Sequence, residues 1–267
     1  MIIIGEKING SIPSVAKAIE ERNADWIRDL AKRQTDQGAT YIDVCASVPP
    51  DVEVEALHWL IDLVQEVTDL PIAVDSPSPD NIIAAMQFCN KPGLINSVSG
   101  EGDKIEKIFP VIADTKWECI ALCCDDKGIP KNPGDRLRVF GDIMEAAKKY
   151  GIAPNRLHID PLVEMLCTTD DAMANLGTVM STIKEQYPSI HVTGAVSNIS
   201  FNLPYRKIVN LAFLVLAMNA GLDSAILDPT NRDLMGAIYA TEALLGMDDY
   251  CMEYITAFRE GLFGPIK

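Results

Sequence analysis

The chain has 267 residues, 48% hydrophobic and 23% charged, which allows a sizeable core and excludes a disordered chain. Its formal charge is −15, from 38 acidic and 23 basic residues, and this excludes the basic surface that a nucleic-acid partner requires. The seven cysteines are an odd, scattered set, so they read as reduced thiols of a cytoplasmic protein rather than as a disulfide framework.

Short apolar runs rich in β-branched residues alternate with longer amphipathic stretches. The first strand is expected at Ile2–Ile4. Met1–Gly5 is too short for a secretory leader, and Glu6 and Lys7 follow at once. No apolar run approaches the ~20 residues of a membrane span. A helix is expected over Ala24–Gln37, stopped by Gly38, and a second strand over Tyr41–Cys45. Then come helix Val52–Val67, strand Ile72–Val74, helix Asp80–Phe88, strand Leu94–Ile95, helix Asp103–Ile112 and strand Ile120–Cys123. Helix Asp135–Tyr150, strand Leu157–Ile159, helix Ala172–Gln186, strand Val192–Val196 and helix Arg206–Ala220 follow. Strand Ser224–Leu227 and helix Asp233–Leu245 complete the pattern, and the tail Asp248–Lys267 reads as one more helix. Eight strands, each followed by a helix, is the count of a single (β/α)8 TIM barrel over residues 1–267. A doubly wound open sheet has the same local pattern.

In a barrel the chemistry sits where strands end. Asp75 ends the third strand, Asn96 the fourth, Asp160 the sixth and Asn198 the seventh. Glu6 and Asn9 follow the first strand, Asp228 closes the eighth, and Asp43 lies within the second, spaced to point inward and support its neighbours. Singly, such residues are often helix caps or Asx turns. Four of them on four elements form a rim, and the rim is more specific than its members.

Three chemistries lack their parts. Zinc needs clustered His and Cys, whereas His58 lies in a helix-like segment, His158 and His191 lie in or beside strands as packed or surface residues, and Cys123–Cys124 has no companion at zinc-like spacing. There is no GxxxxGK[ST] or GxGxxG phosphate loop. There is no GxSxG elbow, and no His is placed to activate a Ser or Cys. Hydrogen bonding to a flat, nitrogen-rich heterocycle fits better. A carboxylate accepts from the 2-amino group and N3–H of a pterin together, and carboxamides serve the remaining ring atoms.

The segments IIIGEKING, YIDVCAS, VDSPSPD, LINSVSGE, IDPLV, GAVSNISFNLPYR and GLDSAILDP occur in this order over nearly the whole chain. Together they resemble the methyltetrahydrofolate:corrinoid methyltransferases, relatives of the folate module of cobalamin-dependent methionine synthase and of dihydropteroate synthase. The resemblance implies a pterin-binding barrel, usually a homodimer. It implies methyl transfer between N5 of tetrahydrofolate and the cobalt of a corrinoid carried by another protein, with no metal held by this chain. By the same resemblance Asp75, Asn96 and Asp160 hold the pterin, and Asn198 hydrogen bonds at N5 as the catalytic residue. Asn202 and Arg206 lie near folate or corrinoid, and Glu6, Asn9, Asp43 and Ser97 support the site. The chain departs from the usual pattern at Phe201, where Gln is common, and at Cys45, where an Asn-type residue is common. The Phe201 departure weighs against the acetogen iron–sulfur corrinoid protein as partner and towards a demethylase system. Two alternatives stand beside this reading: a non-catalytic folate-binding protein, and a dihydropteroate synthase-like enzyme.

Overall fold

The fold follows from which face of each strand is apolar. In the computed structural model, which describes residues 1–265, eight strands form one parallel sheet in the order β7-β6-β5-β4-β3-β2-β1-β8. They are β1 (Ile2–Asn9), β2 (Tyr41–Cys45), β3 (Ile72–Asp75), β4 (Leu94–Gly100), β5 (Glu118–Asp125), β6 (Leu157–Asp160), β7 (His191–Val192) and β8 (Ser224–Leu227). The sheet closes on itself, because Ile226 N–H donates to the Gly194 carbonyl at 3.1 Å and Ala195 bridges Ile226. The expected TIM barrel is therefore the observed fold, and the open sheet is excluded.

Ten helices cover the outside among the described residues. They are α1 (Pro13–Glu20), α2 (Ala24–Asp36), α3 (Pro50–Gln65), α4 (Pro79–Met86), α5 (Lys104–Ile112), α6 (Pro133–Tyr150), α7 (Ala172–Gln186), α8 (Arg206–Asn219), α9 (Arg232–Leu244) and α10 (Met252–Glu260). Asn23, Ser78, Asn132 and Asn231 cap α2, α4, α6 and α9 by accepting from first-turn N–H groups.

Neighbouring strand residues separate into two apolar compartments. Ile3, Ile42, Val74 and Ile95 join the large core between sheet and helices, with Leu57, Leu60, Phe109 and Ile143. Ile4, Tyr41, Ala73, Leu94 and Ile120 form a small cluster inside the barrel. This is the two-residue period of a strand buried on both faces. Continuing that period up the inner face gives Glu6 after Ile4, Asp43 after Tyr41, Asp75 after Ala73 and Asn96 after Leu94. The barrel is thus apolar at mid-height and polar at its upper rim.

The floor is polar too. Glu118 Oε2 accepts from Tyr41 Oη at 3.0 Å and meets His158 Nε2 at 2.9 Å, while His158 Nδ1 meets Ser224 Oγ at 2.8 Å. Burial depresses the His158 pKa and favours its neutral form.

Three expectations need correction. β7 is two residues long; Thr193–Ala195 beyond it keep only isolated bonds to β6 and β8, and Val196, the last residue of the expected Val192–Val196 strand, opens a 3₁₀ turn over Val196–Ser200. Asn198 therefore sits on that turn rather than at a strand end. Helix α1 is absent from the pattern read above; its SIPS start has no side-chain cap, and only Pro13 at its first position marks it. In the tail, the helix is confined to Met252–Glu260, and the last two residues of the expected segment lie outside the described residues.

Candidate active site

A cleft of about 620 Å³ opens at the carboxyl ends of β1–β4 and β8. Its lining brings together Glu6, Asn9, Asp43, Asp75, Asn96, Asn198, Arg206 and Asp228. A volume of this size suits a drug-sized ligand.

The wall at β1 depends on a bulge. Pairing between β1 and β2 shifts register between Gly5 and Ile8. Gln34, fully buried on α2, fills the irregularity and accepts from the Lys7 backbone N–H at 3.0 Å. A Cβ on Gly5 would stand 2.6 Å from Gln34 Oε1, so any larger residue requires Gln34 or the bulge to shift. Glu6 and Lys7, next along the strand, then face the cleft. Lys7 Nζ pairs with Asp228 Oδ2 at 3.3 Å. Burial, and then the Asp228 charge, raise the Glu6 carboxyl to about 7, against the opposing pull of Lys7 and Arg206.

The opposite wall is a row across three strands. Cys45 is the register partner of Asp75, and Asp75 that of Asn96. Asn96 Nδ2 donates to Asp43 Oδ1 at 3.1 Å. Asp43 is 2% exposed, and burial and then the nearby Asp75 charge push its pKa well above the usual carboxylate range. Burial raises Asp75 to about 6. The loop beyond Asp75 is anchored by buried Glu53 of α3, which accepts from Ser76 Oγ at 2.8 Å and Asn81 Nδ2 at 2.5 Å.

The third wall is the turn after β7. Asn198 is half-buried there, and no protein partner engages its side chain among the described residues. Arg206, first residue of α8, donates from Nε to Ser200 Oγ at 2.9 Å and from Nη2 to the Ser197 carbonyl at 2.7 Å. Its guanidinium stacks over the Phe201 ring at 4.6 Å. The turn holding Asn198 is thereby braced from both ends.

Three expected residues do not line this cleft. Asp160 is 7% exposed at the end of β6, accepts from Leu162 N–H at 2.7 Å, and is raised by burial to about 6. Ser97 follows Asn96 on β4. Asn202 is exposed and turns its amide to Met165 Sδ at 3.7 Å. Conversely, Lys7, Asn210 and Asn231 line the cleft without having been singled out. Asn210 Oδ1 is buried without a hydrogen-bond partner, a contact available to a ligand. Its position in the amphipathic pattern of α8 carried no sequence signal. Among the described residues no group of three His, Cys, Asp or Glu is arranged to hold a metal ion.

Raised carboxylates beside carboxamides, in a half-enclosed cleft, are equipped to receive paired N–H donors of a flat heterocycle and to move a proton near pH 7. The profile of the family described as pterin binding enzyme matches residues 6–228. The chain belongs to the pterin-binding enzymes. Within that class it is 49% identical, over 100% of its own length and 99% of the relative's, to a methylcorrinoid:tetrahydrofolate methyltransferase of Eubacterium limosum. It is 27% identical to the methionine synthase of Mycobacterium leprae, over 87% of this chain but 21% of that protein. Among solved structures, a dihydropteroate synthase of Xanthomonas albilineans superposes with a TM-score of 0.69 at 18% identity, covering 91% of this chain and 92% of that one. That last likeness is one of fold.

Proposed function

We propose that this enzyme moves a methyl group between N5 of tetrahydrofolate and the cobalt of a corrinoid carried on a separate protein. The carrying observation is the convergence of Asp75, the Asp43–Asn96 pair and Asn198 on one cleft. Asp75 holds the pterin by its 2-amino and N3–H groups; Asp160, outside the lining but beside Gly194 at the cleft's edge, is the second carboxylate, and Asn96 serves a ring acceptor or donor. Asn198 is the catalytic residue: its uncommitted amide hydrogen bonds at N5, where charge changes most in the transition state. Arg206 and the exposed Asn202 flank the path by which the corrinoid arrives.

Proton balance assigns a further part to Glu6. When methyl passes to N5, the N5–C bond forms and cobalt keeps the electron pair of the broken bond. N5 then carries one proton too many. A carboxyl poised at about 7 in the same cleft accepts it, and returns it in the reverse direction. No protein nucleophile is required.

A corrinoid protein docking transiently at the barrel mouth is the partner in this reading. A second copy of this chain is another: α8 exposes Ile208 at 54% and Leu216 at 52% on its outer side. A cytoplasmic location belongs to the same proposal, in keeping with seven free cysteines; no helix among the described residues is long and apolar enough to cross a membrane. The test is binding followed by turnover. Tetrahydrofolate shifts the melting temperature, and methylcobalamin is then demethylated only when tetrahydrofolate is present. Binding without transfer, with candidate corrinoid proteins supplied, favours a folate-binding module instead.

A further inference from the structure

Arg136 is 3% exposed, on the first turn of α6, and its guanidinium spans two loops of the barrel mouth. Nε donates to the Pro130 carbonyl at 3.2 Å, in the loop after β5. Nη1 donates to the Leu162 carbonyl at 3.3 Å, and Nη2 pairs with the Glu164 carboxylate, both in the loop after β6. Leu162 has φ +68°, a left-handed conformation costly for a residue with a side chain, so something must hold it. That conformation aims the Leu162 N–H at Asp160 Oδ1, 2.7 Å away.

We propose that Arg136 is a positioning residue for the pterin carboxylate Asp160: it clamps the carbonyl of Leu162 so that the N–H of the same residue fixes Asp160. One guanidinium thus serves three acceptors on two loops, a fork that Lys cannot reproduce. The arrangement also sets the charge around Asp160. Arg136 faces it from α6 and opposes the effect of burial. The buried thiols of Cys123 and Cys124 on β5 lie within reach of its charge, and burial holds both protonated. Glu164 partly neutralises Arg136, and exposed Lys131 lies 4.0 Å from Glu164. This inference rests on the reading of Asp160 as a pterin holder.

The experiment measures the tetrahydrofolate dissociation constant from pH 5 to 8 for the wild type and three variants. In Arg136→Gln, Asp160 loses a positive neighbour and its clamp. The acid limb of binding moves to higher pH, and affinity near pH 6 falls by about tenfold for each unit moved. Glu164→Gln leaves Arg136 unneutralised and moves the limb the other way. Arg136→Lys restores the limb but not the affinity, because charge returns without the fork. Loosened folding alone would weaken binding equally at all pH values, and an unmoved limb in both Gln variants overturns the inference. If Arg136→Gln does not fold, the direction of the Glu164→Gln shift decides. A wild type that fails to bind tetrahydrofolate removes the functional reading, and the inference with it; a wild type that binds while its variants keep the wild-type limb removes only the inference.

Discussion

Asn96 gives its side-chain N–H to Asp43, two strands away, although its register partner is Asp75 on the strand between. The reach is open because the residue beside Asp43 in the ladder is Ala73, whose side chain is one methyl. Residues of alternate strands meet inside the barrel, as the layers of this architecture require. The bond commits the Asn96 N–H inward and leaves its carbonyl oxygen for the ligand.

Asp43→Ala therefore weakens tetrahydrofolate binding without touching it. The loss is about 1–3 kcal/mol, or roughly ten- to a hundredfold, because Asn96 is left with an unpaired donor and no fixed orientation. Titration calorimetry at pH 7.5 checks this. Asp43→Asn, which still accepts, keeps more of the affinity than Asp43→Ala.

Much of this site was legible in the sequence, for a definite reason. Glu6, Asp43, Asp75 and Asn96 interrupt apolar strands at the inward-facing period, where burying a polar side chain is costly unless it finds a partner. What was hidden depends on contacts between distant elements. Gln34 reads as one more polar residue of α2, yet it props the β1 bulge. Arg136 reads as one more charge on α6, yet it is buried between loops. The end of the seventh strand was hidden because VTGAVS is as apolar as a strand, yet the chain leaves its pairing with Ile226 after Ala195 and enters the turn Val196–Ser200.

Ligand binding depends on pH with a sign fixed by the carboxylates. The pterin donors need an ionised acceptor, and Asp75 and Asp160 each hold a proton up to about 6. Below that pH, affinity falls by about tenfold per unit for each carboxylate that must ionise. A plot of log Kd against pH bends near 6 with a limiting slope between one and two. A flat profile from pH 5 to 8 would contradict it.

The empty protein shows the converse dependence. Burial raises the Glu6, Asp75 and Asp160 carboxyls to about 7, 6 and 6, above the ordinary carboxylate range that they return to on unfolding. The folded state binds more protons, so their contribution to stability is full below about pH 4 and is lost as pH rises through 6 to 7. Glu6→Gln removes one such loss. It stabilises the ligand-free protein by on the order of 1–3 kcal/mol at pH 8 and little at pH 4. Urea unfolding at the two pH values measures the difference; equal gains would point to packing instead of ionisation.

Gly5→Ala tests the β1 bulge. The new methyl meets Gln34 Oε1 at 2.6 Å, and Gln34 must move or the bulge must. The cost is about 1–3 kcal/mol of stability. Gln34→Ala removes both the obstacle and the acceptor of the Lys7 N–H, so it does not rescue Gly5→Ala fully. Thermal melts of the two variants and their combination give the coupling.

Methyl transfer itself is the most direct test. Methylcobalamin and tetrahydrofolate are mixed with the wild type or with Asn198→Ala, and the corrin absorbance is followed while folate affinity is measured separately. The wild type transfers methyl. Asn198→Ala lowers kcat by roughly ten- to a hundredfold, with folate affinity changed by less than about threefold, since the bond at N5 is strongest in the transition state. A wild type that binds tetrahydrofolate yet transfers no methyl, or a variant that loses binding and rate in equal measure, would contradict the assignment of this cleft to methyl transfer at N5.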